Sequence, residues 1–531
     1  MASLDIFIIL LYFVVVMTAG FYYARQKKET TKDFFLAGRY LGWFVIGTSL
    51  FATNISSEHF VGLAGHGATS GMAVGNFEWL AIFALILLGW IFAPIFLRAR
   101  IYTVPEFFGK RYNKATQVYL SALSILAYVA TKISVSLFAG GLLLHELLGW
   151  DFYTSAIVMM AITGIYTIVG GMRAVVYTSV IQAFFLIGGA LVLTLFGLKE
   201  VGGLSGLQAR LPADFFTVFR PADDPDFPWT GIVFGAPILA IWYWCTDQYI
   251  VQRMLCAKDV CAARSGAILT GFLKLLPAFI LVLPGLIAAA LFPETGGDQA
   301  YAVLLKSYLL PAGLKGLVFA GVLAALMSSL AASFISISTL FTMDFYRHFD
   351  PQAPEKKLVL VGRLTATAIV AVSILWIPLF KQLDSHLYIF LQSIQSYISP
   401  PIAAVFLLGI FFRRGNGKGA MWALVLGGLI GLARIMVEWM DPANLADVSL
   451  LFWLREINYL HFAIYLFVFS ILIMITASLL SEAPFYSRIR ELTFSGGVAA
   501  YALDSARGKR FNWMISATLV VVLFGLWGVF S

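Results

Sequence analysis

Long apolar segments, separated by short polar connections, recur along the whole chain. About fourteen of them reach roughly 18 residues, the length that an α-helix needs to cross about 30 Å of hydrocarbon. None shows the alternation of apolar and polar residues over about ten positions that is typical of transmembrane β-strands. The pattern predicts an all-α polytopic membrane protein with about 14 transmembrane helices. We place the spans at about 4–23, 42–63, 75–97, 118–146, 152–170, 177–198, 229–252, 264–292, 302–342, 358–380, 386–412, 418–438, 457–481 and 512–530.

The composition supports this fold class. Hydrophobic residues make up 60% of the 531 residues, charged residues make up only 12%, and the mean hydropathy is +0.87. Soluble domains carry about 25% charged residues, so the chain lies far outside their range.

Lys and Arg residues concentrate in alternate connections between the predicted spans, at 25–39, 98–114, 253–264, 347–363, 413–418 and 488–510. Because short cytoplasmic loops retain these residues, we expect the six connections inside and both termini outside a plasma or inner membrane. The net charge of +8 therefore indicates topology and not a nucleic-acid surface. The first segment follows Asp5 and precedes the first basic cluster, the reverse of a signal peptide, so we expect it to remain a span.

Seven ionisable residues fall inside the predicted spans: Glu58, His59, Glu78, Lys132, Asp247, Lys274 and Arg434. An ionisable side chain at that depth costs at least about 2.5–3.5 kcal/mol and usually faces a cavity or a partner. Glu78 and Lys274 lie near the middle of apolar runs, where opposite charges offset each other's desolvation, and we expect both to be functional. We expect Lys132 and Arg434 to extend to the membrane interface, and Asp247 to form a local ion pair.

Two predicted spans are interrupted by polar residues, by ATNISSEH at 52–59 and by WYWCTDQ at 242–248. Ser, Thr, Asn and Asp side chains compete for backbone hydrogen bonds, and unwound backbone is tolerated in a membrane only where it lines a cavity. Interruptions at matching places in two five-span halves are typical of an inverted-repeat transporter, with substrate and ion near the midplane. No Walker sequence, catalytic triad or metal cluster is recognisable in the sequence, so an enzyme is the least favoured class.

Stretches from nearly every part of the chain match a known pattern, namely DFFLAGRYLGWFVIGTSLFATNISSEHFVGLAG, NFEW at 76–79, IYTVPEFFGKRY, YTIVGGMRAVV, IWYWCTDQYIVQRML, LKLLP at 273–277, AALMSSLAASFISISTLFTMDFY and LQSIQSYISPPIAAVFLLGIFFRR. With them the chain resembles the sodium/glucose cotransporters of the solute:sodium symporter family. The resemblance implies a single transmembrane transporter domain over 1–531 that cotransports Na⁺ and a sugar. It implies a leucine-transporter-type five-plus-five inverted repeat at about 42–412, an extra first span at about 4–23 and additional spans at about 418–530.

The resemblance also implies a sodium site, formed by the carbonyls of Ala52, Ile55 and Ala325 and the hydroxyls of Ser328 and Ser329. Na⁺ is a hard cation, and a neutral set of oxygens binds it weakly enough to release it. The alternative for SSLAAS is close helix packing through small residues. Ala331 stands where relatives with two sodium sites carry a Thr hydroxyl, so we expect one Na⁺ for each sugar.

The implied sugar site consists of His59, Glu78, Lys274 and Gln392, with Asn54 beside them and with Tyr243 and Trp244 against the sugar ring. Sugar hydroxyls both donate and accept hydrogen bonds, so a site needs acceptors, donors and groups that do both. Phe77 and Phe60 either complete the wall of this site or pack in the core.

Three further positions depart from the family pattern. Ala240 and Ala81 offer no hydrogen bond to a sugar hydroxyl, and discrimination between substrates depends on such pairs. Ser179 replaces an acidic residue on the family's cytoplasmic sodium route. The substrate therefore stays open between a hexose such as glucose or galactose and myo-inositol, another polyol, sialic acid or an amino acid. A sodium-linked sugar sensor or channel is the alternative function.

Overall fold

The computed structural model describes residues 2–25, 30–294, 297–380, 387–440, 449–494 and 506–531. Within these ranges the regular structure is helical, apart from two isolated backbone bridges. Eleven helices are long and apolar enough to cross a membrane, or twelve when one bent pair is counted as a span. The prediction of an all-α multi-pass membrane protein is therefore confirmed, whereas a count of 14 spans is not reached by length and composition alone.

The eleven helices are Ser3–Arg25, His59–Ala99, Lys114–Phe138, Phe152–Val201, Val260–Leu291, Leu314–Phe349, Glu355–Leu375, Tyr388–Phe411, Gly417–Glu438, Tyr459–Leu479 and Gly508–Val529. The bent pair consists of Trp229–Cys245 and Gln248–Leu255, which meet at an angle of 48°. Shorter helices outside these spans include Thr31–Leu36, Trp43–Asn54, Val104–Arg111, Gly203–Arg210, Ala300–Lys306 and Ser449–Glu456.

Both interruptions predicted from the sequence are confirmed. The helix Trp43–Asn54 ends one residue before Ile55, whose backbone is extended with φ −72° and ψ 114°. The second interruption lies at Thr246 and Asp247, between the two helices of the bent pair. The carboxylate of Asp247 accepts a hydrogen bond from the backbone N–H of Tyr249 and caps the following helix. The expected ion pair of Asp247 does not form among the described residues.

Two glycines kink the longest helices. Gly71 lies within His59–Ala99 with φ 70°, and Gly171 lies within Phe152–Val201 with φ 63°. Positive φ values favour glycine because it has no Cβ to collide with the backbone. A straight helix of about 50 residues would be about 75 Å long, more than twice the thickness of the hydrocarbon. The kinks therefore allow these segments to stay within the membrane.

Five short segments are π-helical, with one extra residue in the turn: His59–Leu63, Leu88–Phe92, Tyr128–Ile133, Ala278–Val282 and Phe341–Tyr346. Each continues into an α-helix or follows one. Such single turns occur frequently at functional sites.

The helix Leu314–Leu340 forms the centre of the molecule and packs against Phe152–Val201 and Ser3–Arg25. The most apolar part of this central helix is completely buried. Close packing requires glycine at two contacts. A Cβ on Gly189 would lie 2.9 Å from the carbonyl oxygen of Leu317, and one on Gly321 would lie 2.7 Å from that of Phe185. The backbones of these two helices thus touch directly.

Candidate functional site

A cavity of about 60 Å³ lies where the two interrupted helices meet. Its lining includes all seven residues to which the resemblance gives a role in substrate binding: Asn54, His59, Glu78, Tyr243, Trp244, Lys274 and Gln392. The other lining residues are Glu58, Phe77, Leu80, Lys132, Ala236, Leu239, Ala240, Tyr388 and Gln395. The structure brings the predicted residues together, and their role in binding stays a prediction.

Several of these side chains reach the cavity from the end of a helix. Asn54 is the last residue before the first interruption, and Tyr243 lies in the last turn before the second. Within the longer spans given above, Glu78 lies in the first turn of the α-helical segment Asn76–Leu87, and Lys274 directly follows the segment Val260–Leu273. Helix ends within a membrane are tolerated where they line a cavity. The interruptions of the helices therefore also form the cavity.

Lys274 and Glu78 form a buried ion pair, as their mid-span positions led us to expect. The ammonium of Lys274 donates directly to the Glu78 carboxylate and, at 2.6 Å, to the side-chain oxygen of Asn54. Their side chains are only 1% and 5% exposed, and the ammonium lies 5.5 Å from the ring centre of Trp244. Each charge is therefore compensated by the other, which a buried charge requires.

His59 connects this ion pair to the interrupted helix. Its Nδ1 accepts a hydrogen bond from the backbone N–H of Ser56 at 3.3 Å, and its Nε2 lies 3.4 Å from the Glu78 carboxylate. Since Nδ1 is an acceptor, the proton of the neutral imidazole lies on Nε2 and is directed towards Glu78.

Lys132 is a correction to the sequence-based expectation, because it does not extend to the membrane interface. Its ammonium lies 3.7 Å from the Glu58 carboxylate, with the two side chains 9% and 12% exposed. It also lies 4.7 Å from the ring centre of Tyr243 and 5.5 Å from that of Tyr249. The π-helical segment Tyr128–Ile133 carries Lys132. Its depth in the span was the signal that pointed to a buried partner.

Aromatic side chains form one side of the cavity. Trp244 is 3% exposed and packs edge-on against Tyr243, with ring centres 5.3 Å apart. Phe77 lines the cavity. Phe60 does not, because it is completely buried and packs edge-on against Tyr301 at 4.9 Å. Of the two phenylalanines that the sequence left open, Phe77 belongs to the wall and Phe60 to the core.

Sequence reasoning missed Tyr388 and Gln395, which line the cavity from the same helix as Gln392. Gln395 lies three residues after Gln392, the spacing at which helical side chains share a face, and this spacing was the signal available in the sequence. Ala240 also lines the cavity, where its methyl group offers no hydrogen bond. Ala81 is buried and is not part of the lining.

The hydroxyl of Ser329 faces the interruption at Ile55. It lies 3.4 Å from the carbonyl oxygen of Thr53 and 3.5 Å from that of Ile55. These neutral oxygens are of the kind that a hard monovalent cation prefers. Sequence reasoning did not include the Thr53 carbonyl, which also accepts a hydrogen bond from the Tyr249 hydroxyl at 2.8 Å.

The hydroxyl of Ser328 lies 3.1 Å from that of Ser179. Ser179, which departs from the family pattern, therefore contacts a proposed sodium ligand directly. Ala52 and Ala325 are completely buried, as is Ala331. A sodium-ligating role for the five implied residues stays a prediction.

Comparison with known proteins gives three findings. The sodium:solute symporter family profile matches residues 34–427. The chain is 42% identical to sodium/glucose cotransporter 1 of Ovis aries over 502 residues, which cover 85% of this chain and 75% of that protein. It is 42% identical to the sodium/mannose cotransporter SLC5A10 of Bos taurus over 505 residues, which cover 88% and 84%.

A solved structure of a Na⁺-coupled sialic acid symporter, in a substrate-bound outward-open state, superposes on this chain with a TM-score of 0.78. The superposition covers 91% of this chain and 99% of that one. At 21% sequence identity the likeness shows a shared fold.

The Lys274–Glu78 pair gives a test of stability that does not depend on function. Lys274→Met leaves the Glu78 carboxylate buried without its partner, so we expect the free energy of unfolding to fall by about 3–5 kcal/mol. Denaturant titration of the purified protein in mixed micelles measures this value. The double variant Lys274→Met/Glu78→Gln should recover part of the loss. Lys357→Met, which removes an exposed ion pair with Asp350, should leave stability unchanged. Equal stability of Lys274→Met and wild type would contradict the pairing.

Proposed function

The chain belongs to the sodium:solute symporter family, and from this membership we propose that it is a secondary active symporter. It couples inward Na⁺ flow to the uptake of a sugar, a hexose such as glucose or galactose. Na⁺ and the sugar are its two substrates, and the lipid bilayer is its environment.

One observation carries this proposal: the first interruption presents polar groups of different chemistry in two directions. The side chain of Asn54 faces the polar cavity, while the carbonyls on either side of it, of Thr53 and Ile55, face Ser329. An ion bound at these oxygens fixes the backbone that positions Asn54. Binding of one substrate thereby favours binding of the other, which is what cotransport requires.

The cavity has the groups that a sugar needs. Glu78 accepts hydrogen bonds, Lys274 donates them, and Gln392 and His59 do both. Trp244 and Tyr243 provide an aromatic face for the apolar side of the sugar ring. The methyl group of Ala240 cannot form a hydrogen bond with a sugar hydroxyl, so other groups in the cavity must distinguish one sugar from another.

We propose 14 spans, with two inverted five-helix repeats over about 42–412. The kinks at Gly71 and Gly171 support this count. The kink at Gly171 divides Phe152–Val201 into two segments that are each long enough to cross, and the kink at Gly71 separates residues 71–99 from residues 59–70, which make up a crossing together with Trp43–Asn54. Twelve spans thereby become fourteen. The sequence pattern supports cytoplasmic placement of the basic connections, with both termini outside. Alternating access then exposes the cavity to each side of the membrane in turn.

The first experiment tests sodium-coupled uptake. Proteoliposomes that contain the purified protein should accumulate D-glucose or D-galactose only when an inward Na⁺ gradient is imposed. A sensor or channel binds or conducts without accumulation, and would therefore fail this test. Gln392→Ala should reduce uptake by roughly tenfold or more, since a buried polar partner is lost. Gln208→Ala, at an exposed glutamine outside the spans, is the matched control and should transport normally.

The second experiment tests the ion site. Changing both Ser328 and Ser329 to Ala removes two of the five proposed oxygens, so stimulation of uptake by Na⁺ should disappear. Alanine is smaller than serine and uncharged, so the protein should still fold and elute as wild type from a sizing column. Normal Na⁺ dependence in this double variant would place the ion elsewhere.

The third experiment measures the coupling ratio. Ala331 is buried and has no hydroxyl, so we expect one Na⁺ for each sugar. At 100 mV one charge contributes about 2.3 kcal/mol, and a tenfold Na⁺ gradient contributes about 1.4 kcal/mol. The total allows accumulation of about 500-fold. Reversal potentials, measured while the two gradients are varied independently, give the ratio. A value near two would show that another oxygen replaces the missing hydroxyl.

A further inference from the structure

Two ion pairs line the cavity, and they differ in how completely their polar atoms are used. In the first pair the Lys274 ammonium donates directly to Glu78 and also to Asn54. In the second pair the Lys132 ammonium lies 3.7 Å from the Glu58 carboxylate, beyond hydrogen-bonding distance. The first pair is joined by a direct hydrogen bond, and the second pair is not.

The ammonium of Lys132 has unused donors. In the part of the chain that the structure describes, it donates no hydrogen bond to protein. It lies over the ring faces of Tyr243 and Tyr249 at 4.7 and 5.5 Å, and its charge also attracts the Asp247 carboxylate. An ammonium carries three donors. With a side chain 9% exposed, Lys132 has few ways to satisfy them except through the cavity.

The carboxylate of Glu58 has unused acceptors. Its neighbours among the described residues are Lys132 at 3.7 Å and the Nδ1 of His59 at 3.8 Å. That nitrogen already accepts a hydrogen bond from the backbone N–H of Ser56, so it has no proton to give to Glu58. The side chain of Glu58 is 12% exposed and lines the same cavity as Lys132.

A ligand that enters the cavity displaces water from these polar groups, and it binds more tightly when its own atoms replace the lost hydrogen bonds. The Glu58 carboxylate needs a hydrogen-bond donor, and the neighbouring Lys132 ammonium needs a hydrogen-bond acceptor. Two neighbouring hydroxyls of a sugar supply this combination. The nearby methyl group of Ala240 competes for neither hydroxyl.

We propose that Glu58 and Lys132 bind the sugar directly and determine its specificity. One hydroxyl donates to Glu58, and the adjacent hydroxyl accepts from Lys132. The inference rests on the proposed function and narrows its substrate class to sugars with two free adjacent hydroxyls at this part of the ring. A sugar that lacks one of them leaves a buried charge without its hydrogen bond and is rejected.

The test uses D-glucose and its monodeoxy derivatives, with uptake into proteoliposomes that contain the full-length protein. For wild type, we expect KM to rise by roughly tenfold or more for the deoxy sugars at two adjacent positions. Glu58→Met, which has no oxygen acceptor, should abolish the discrimination at one of these positions. Lys132→Met should abolish it at the other.

Controls separate recognition from folding. Lys132→Arg keeps the charge and should keep the discrimination, and Lys357→Met, at an exposed ion pair, should match wild type. If a single variant fails to fold, the uncharged double variant Glu58→Met/Lys132→Met avoids an unpaired charge and should lose discrimination at both positions. A structural role would instead raise KM for every sugar by the same factor, and that result would overturn the proposal.

Failure of the proposed function gives a different result. If wild type shows no Na⁺-dependent uptake, equilibrium binding of the same sugars to purified protein in Na⁺ still measures discrimination. If the variants lose this discrimination in the binding assay, the role of Glu58 and Lys132 in sugar recognition is supported even though the protein does not transport. Unchanged ratios of dissociation constants would reject it.

Discussion

The fold around the cavity depends on one constraint: a helix that stops inside a membrane must find partners for the backbone groups it frees, because no lipid provides them. At the first interruption one partner is local and the others come from distant parts of the chain. The Thr53 carbonyl accepts from Tyr249, and the Ser56 amide donates to His59. Ser329 lies within reach of the Ile55 carbonyl. Satisfying the backbone therefore brings together the helices that bear the polar side chains.

Charge balance follows from the same arrangement. The lining contains two ammonium groups, on Lys132 and Lys274, and two carboxylates, on Glu58 and Glu78. These four side chains together carry no net charge. A neutral cavity suits an uncharged substrate such as a sugar, because neither has to lose the hydration of an unpaired ion when they meet.

The sequence predicted the features that depend on local pattern, and it missed those that depend on how distant segments meet. Polar residues within apolar runs located both interruptions, and the depth of Glu78 and Lys274 predicted their pairing. The burial of Lys132 was not predicted, because its partner Glu58 lies on another helix and the π-helical turn alters its direction. The kinks at Gly71 and Gly171 were not predicted either, because the sequence shows the two glycines but not their positive φ values. Phe60 and Phe77 are equally apolar in the sequence, and only the packing of the folded chain places Phe77 in the cavity wall and Phe60 in the core.

The direct backbone contacts at Gly189 and Gly321 limit what substitution experiments can reveal. A single methyl group at either position meets a carbonyl oxygen of the neighbouring helix at 2.9 or 2.7 Å, so even alanine must push two helices apart. Neither glycine lines the cavity. Inactive variants at these positions in a mutational scan would therefore report on assembly of the helices, and their grouping with substrate-binding positions would be misleading.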